Sequence, residues 1–186
     1  MYRHIFPVVL ASLLITDAAL ASEGRQQAEA FANIYASTCI QHLNNLDGLR
    51  EKLQAAPQLP PEKAAHFLAG HEGQAWPVPD RHGTFVLTLQ DGKNFCAVHA
   101  RRADTEAAKE LFVNLVANPA VQARSQVEVK QVTNEQQQTD ANGLVETVAY
   151  EWSSPGATRK MLFMLSTAPS ETAQLQVYGS ASIIRE

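Results

Sequence analysis

The sequence predicts a single α+β domain: an antiparallel sheet of about six strands, in the order α-α-β-β-α-β-β-β-β, with helices packed on one face and one disulfide. Three observations carry this expectation. Apolar residues recur every three or four positions in the first third of the chain, as on an amphipathic helix. Most of the remainder alternates with period two, as strands do. Cys39 and Cys96 each fall on the apolar side of their element, so a helix can be tied to a strand.

From about Gly24 to Ala55 the stripe is Phe31, Tyr35, Cys39, Leu43, Leu46, Leu49 and Leu53, which reads as one long helix ended by Pro57. Leu59-Pro60-Pro61-Glu62 then opens a short second helix that carries His66 and Phe67, with Gly70 as its stop. Gly70 to Gly83 holds Gly73, Pro77 and Pro79, with His71 and His82, around Trp76, and reads as an irregular loop. Thr84 to Leu89, the Asp91-Gly92 turn and Asn94 to Ala100 form a hairpin in which Cys96, Val98 and Ala100 face inward and Phe95 and His99 face away. Asp104 caps a helix that runs to about Ala117 and is closed by Asn118-Pro119.

Four more strands follow. Val127, Val129 and Val132 mark a polar first member that continues through Gln136, Gln137 and Gln138 to the Asp140-Ala141-Asn142-Gly143 turn. Leu144, Val148, Tyr150 and Trp152 share one face of the next, with Glu146 as a polar exception, and Ser154-Pro155-Gly156 turns the chain. Met161 to Leu165 is apolar throughout and suits a strand covered on both sides, whereas Leu175, Val177, Gly179, Ala181 and Ile183 give the last strand one apolar face.

The N-terminus sets the compartment. Met1-Tyr2-Arg3-His4 is a short basic start, Ile5 to Ile15 is almost wholly apolar, and Ala19-Leu20-Ala21 is a small-x-small cleavage pattern, so residues 1–21 read as a signal peptide and 22–186 as the single domain. An apolar run of 11 residues is too short for a bilayer, which needs about 20. Ser22 rather than cysteine at the cleavage point leaves no lipid anchor, and the expected location is the periplasm. In an oxidising compartment Cys39 and Cys96 are expected to pair, closing a loop of 58 residues counting both ends. The competing reading, a nucleophilic thiol helped by a histidine, lacks any CxxC or nucleophile signature.

With 15 Lys and Arg against 19 Asp and Glu the net charge is −4, which argues against nucleic acid and against attachment to anionic lipid. There is no Walker sequence, GxSxG elbow or Ser-x-x-Lys, so no catalytic residue is expected. His71-Glu72 and Asp80-Arg81-His82 could meet across the loop as a nonspecific zinc set, but exposed loop histidines are the favoured reading, and no metal or cofactor is expected. Trp76, ahead of Pro77, suits either the domain's own core, the favoured of the two, or an anchor for a partner. Glu146 among apolar neighbours suits a pocket carboxylate with a raised pKa or, more commonly, an edge position in water.

Cys39, Leu49-Arg50, Leu59-Pro60, Gly70, Gly73-Gln74-Ala75-Trp76 and the strand around Cys96 together resemble a group of small exported Gram-negative proteins with no assigned activity. The likeness spans about Phe31 to Val116. It implies a periplasmic or envelope protein and adds weight to the disulfide, but transfers no catalytic residue. Separately, the element order is similar to the nuclear-transport-factor-2-like fold, whose curved sheet encloses a pocket in enzymes such as ketosteroid isomerase. That family's catalytic Asp and Tyr match no position here, and a profilin-like sheet fits the same order. The expected function is therefore non-catalytic binding of another protein, as an inhibitor or immunity factor against an effector or as an accessory of an envelope machine. Its surface would be the Gly70–Gly83 loop with His71, Trp76, Asp80, Arg81 and His82. The alternative is a small-ligand pocket protein or enzyme lined by Glu146, Tyr150 and Trp152.

Overall fold

The computed structural model describes residues 15–120, 123 and 127–185, with the backbone alone for 15–21. Helix α1 (Ile15–Tyr35) continues into a π-helical segment (Ala36–Ile40), followed by α2 (Leu46–Leu53), α3 (Pro61–Leu68), β1 (Gly73–Asp80), β2 (Gly83–Gln90), β3 (Phe95–Ala100), α4 (Thr105–Val116), β4 (Glu128–Thr139), β5 (Gly143–Ser153), β6 (Arg159–Thr167) and β7 (Val177–Arg185). All seven strands join one antiparallel sheet in the order β1-β2-β3-β7-β6-β5-β4. The α+β class, the antiparallel sheet and the disulfide are as predicted. Of the segment read as a signal peptide, residues 1–14 lie outside the described residues, and α1 runs unbroken through Ala21-Ser22.

The expected long helix is divided. Asn45 leaves the helical region and its side chain accepts the Gly48 N–H at 3.0 Å, so it caps α2 as a separate element. The π segment has its own cause in the spacing of Phe31, Tyr35, Cys39 and Leu43. Each step of four overshoots a 3.6-residue turn by about 40°, so on an α-helix the stripe would rotate off the sheet. A π turn, with its wider i→i+5 closure, takes the rotation back. All four side chains are buried in the main core. Tyr35 donates its hydroxyl to the Ser180 carbonyl oxygen at 2.7 Å, and burial pushes its phenol well above the usual pKa, with the Tyr178 phenol adding to the shift. Gly179 permits this approach, because a Cβ there would lie 2.7 Å from the Phe31 ring.

The helices lie on both faces of the sheet rather than on one. Phe85, Leu87, Leu89, Val98, Phe163 and Leu165 point to α1, α2 and α4, while the alternate residues Ala75 and Val86 pack with Ala64 and Leu68 of α3 on the opposite face. α3 covers only the β1–β3 half of that second face. On β6, accordingly, Phe163 and Leu165 are buried whereas Leu162 and Met164 are only half-buried. The two-sided cover expected for this strand is therefore partial.

The segment Gly70–Gly83, expected to be a loop, is for the most part β1, and the strand count rises to seven. Proline misled the expectation, because here it sits where a sheet tolerates it. The Ala75 carbonyl faces the outer side of the sheet, accepting the Leu59 N–H at 2.8 Å. Pro77 and Pro79, two and four residues on, share that orientation, so the N–H groups they lack would have faced outward and not toward β2. Gly73 is required at the strand's start, since a Cβ would run into the Leu89 carbonyl oxygen.

Candidate functional site

One end of the sheet gathers the β1–β2 turn, the β3–α4 connection and the β6–β7 connection, because β3 ends where β7 begins, with Ala100 opposite Val177. At the turn, Asp80 Oδ1 accepts the His82 backbone N–H at 2.8 Å, and Arg81 Nε donates to His82 Nε2 at 2.8 Å. Asp80 and Arg81 are exposed. The tip is thereby held in one shape at the end of a strand stiffened by Pro77 and Pro79.

Behind it lies a cleft of about 730 Å³ between residues 23–27 in the middle of α1, residues 102–106 and residues 169–176. Its walls are fixed by backbone contacts. Arg102 Nη1 donates to the Ala173 carbonyl at 2.7 Å, the Gln176 amide accepts the Ala103 N–H at 3.1 Å and donates to the Ser170 carbonyl at 3.2 Å, and Asp104 Oδ1 accepts the Ala107 N–H of α4 at 2.8 Å. Glu23, Asp104, Glu106 and Glu171 line it against Arg102, the single cation of its lining among the described residues, so the concavity is acidic.

The structure separates the residues nominated from the sequence. Asp80, Arg81 and His82 stay together at the tip. His71 lies at the other end of β1, beside Lys93 Nζ at 3.4 Å, roughly 25 Å away at the rise of an extended strand. The zinc set imagined across a loop cannot form, because a strand holds its halves apart. No group of three or more His, Cys, Asp or Glu side chains is placed to hold a metal among the described residues. Trp76 is 1 % exposed and belongs to the main core.

The residues of the alternative pocket are packed or paired. Tyr150 meets Phe112 of α4 at a ring distance of 6.2 Å, and Trp152 donates its indole N–H to the Val116 carbonyl at 2.6 Å and stands edge-on to Phe163. Helix α4 thus occupies the space where a pocket was expected. Glu146 accepts from Lys109 Nζ at 2.6 Å and from Gln136 Nε2 at 2.7 Å. Its pKa is lowered, first by the Lys109 hydrogen bond and charge, opposite to the raised value that the less favoured pocket reading required. Lys109 is the site sequence reasoning missed. It lies on α4, 37 positions before Glu146, so no local pattern could reveal the pair.

His99 is a buried histidine that the fold holds neutral. It is 5 % exposed on β3, between Phe67 of α3 and Tyr178 of β7 at ring distances of 5.2 and 5.0 Å, with Thr88 Oγ1 3.3 Å from Nε2. Burial lowers its pKa to about 4 from 6.5. Between those values the unfolded chain takes up a proton that the folded chain refuses, so stability falls as pH drops through the window. The integrated loss is about 3 kcal/mol. Urea unfolding at pH 7.5 and 4.5 is expected to show this slope in the wild type and its flattening in His99→Gln. Equal slopes would remove His99 as the source.

The chain matches no family model, no curated protein and no solved structure.

Proposed function

We propose that the protein is an exported, non-catalytic domain that binds another protein through the sheet end carrying the β1–β2 tip. The observation that carries this reading is the preformed tip itself. Asp80, Arg81 and His82 are fixed by their own hydrogen bonds on a proline-stiffened hairpin, beside an acidic cleft. A turn already held in one conformation loses little entropy on binding, which is what an inhibitor or envelope accessory needs from a contact loop. The disulfide fits an oxidising compartment such as the periplasm. Trp76 leaves the proposed surface because the core has claimed it.

The test is capture from envelope extracts by the immobilised, oxidised protein, compared with an Arg81→Ala/His82→Ala variant. The variant is expected to bind the captured partner about tenfold or more weakly while its melting temperature stays within a degree or two of wild type. Equal capture by both proteins would move the contact away from the tip, and an equal loss of stability would make the tip structural.

A further inference from the structure

The two edges of the sheet are built differently. At the β1 edge Leu59 already occupies the Ala75 carbonyl, and Pro77 and Pro79 offer no donors. At the other edge β4 is 12 residues long, contains no proline and pairs only with β5 among the described residues. A long open edge is a template for another strand, and a sheet with one open edge closes by pairing that edge with itself, where two open edges would grow without limit.

The pattern along β4 is self-complementary. Its ladder with β5 skips Val132, which lies in a register shift between Gln131 and Thr133. Once Val132 is set aside, Thr133 is the middle of the run from Val127 to Gln138, with Lys130 two places before it and Glu135 two places after. Lys130 and Glu135 lie opposite Glu151 and Thr147 of β5, so both project from the same face of the sheet, and both are exposed. A twofold axis through Thr133, perpendicular to the sheet, therefore sets each Lys130 against Glu135 of a second copy. The same register places Gln131 opposite Asn134 and Glu128 opposite Gln137, with no like charges facing each other. Val132, 43 % exposed, falls beside the axis in both copies.

From this arrangement we infer that β4 is the interface of a symmetric homodimer, in which two sheets join edge to edge. The association is concentration-dependent, because a single strand ladder covers less surface than a permanent interface. It leaves the β1–β2 tips at the far ends, so each dimer displays two of the proposed contact surfaces. The inference stands whether or not those tips bind a partner.

Sedimentation of the purified, oxidised protein from micromolar to millimolar concentration is expected to show a monomer–dimer equilibrium. Lys130→Glu and Glu135→Lys should each weaken it about tenfold, since two attractive cross-strand pairs become repulsive, and the double exchange should restore it. Thr133→Cys should oxidise to a dimer bridged at position 133, because a residue on the axis faces its own copy at a separation a disulfide accepts. Circular dichroism melts identify any variant that fails to fold, and the conservative Lys130→Gln then supplies the intermediate weakening. A wild-type monomer at every concentration overturns the inference, as does a dimer indifferent to both charge reversals. An edge taken by an extended segment of a different protein, with no self-association, overturns it as well.

Discussion

Removing the Cys39–Cys96 bond, by Cys39→Ala/Cys96→Ala, is expected to destabilise the fold by about 4 kcal/mol, the value the chain-entropy model gives for a loop of this length. At the usual sensitivity of a domain this size, the melting temperature should fall by roughly 10–15 °C. The bond spans 57 positions and joins the π-helical segment to β3 with Cα atoms 5.3 Å apart, so it ties the first helix to the middle of the sheet. Most of the effect arises in the unfolded chain, where the open loop gains conformations that the closed one never had. Both cysteines are fully buried, so reductant added to the native protein should act slowly, at the rate at which the structure opens. The measurements are thermal melts of the oxidised protein and the double variant, together with thiol titration before and after unfolding. An unchanged melting temperature in the variant would show that packing alone holds α1 on the sheet.

The disulfide was legible because both halves of its geometry are local. Cys39 repeats with Phe31, Tyr35 and Leu43, and Cys96 alternates with Val98 and Ala100, so each apolar face could be read within its own element. Helix α4 was legible for the same reason, with Asp104 as its cap and Asn118-Pro119 after it. The π segment was not, because it follows from how the stripe of one helix must lie on a sheet whose position the sequence does not state. The placement of α3 on the second face was hidden likewise. Its apolar side is plain, but the choice of face depends on which register β1 and β2 adopt.

The largest misreading, Gly70–Gly83 as a loop, shows how an edge strand conceals itself. Proline and glycine are breakers only where they remove a hydrogen bond or add a strained turn. In β1 the prolines sit at outward positions, and its two buried residues, Ala75 and Trp76, alternate between the two cores like those of any strand. The candidate site inherits that correction. What the sequence offered as one mobile loop with five contact residues is a stiff hairpin whose tip keeps Asp80, Arg81 and His82, while His71 is carried to the opposite end and Trp76 is turned inward. Glu146 failed as a pocket acid for a different reason: its partner Lys109 comes from another element, and pairing across elements leaves no periodic trace.

Trp76→Ala is expected to cost about 3–5 kcal/mol, the range for emptying the space of a large aromatic in a packed core. Trp76 stands opposite Leu87 on β2 and shares the main core with Leu49, Phe85 and Leu89, although its strand is at the edge of the sheet. A cavity there should loosen β1 first, since this strand has β2 on one side only. The indole N–H sharpens the test, because Trp76 Nε1 is buried with no hydrogen-bond partner among the described residues. Such a donor is destabilising by about 1–3 kcal/mol relative to a satisfied one. Trp76→Phe removes it while keeping one aromatic ring, so it should cost much less than the alanine change, and much less than area alone would predict. Denaturant titration of the three proteins separates these contributions. A phenylalanine variant as unstable as alanine would mean that the indole N–H does find an acceptor in solution, and that the core around β1 is held by it. If alanine itself is tolerated without loss, Trp76 is not the keystone of that core, and the proline-bearing hairpin must draw its rigidity from Leu59 and α3 instead.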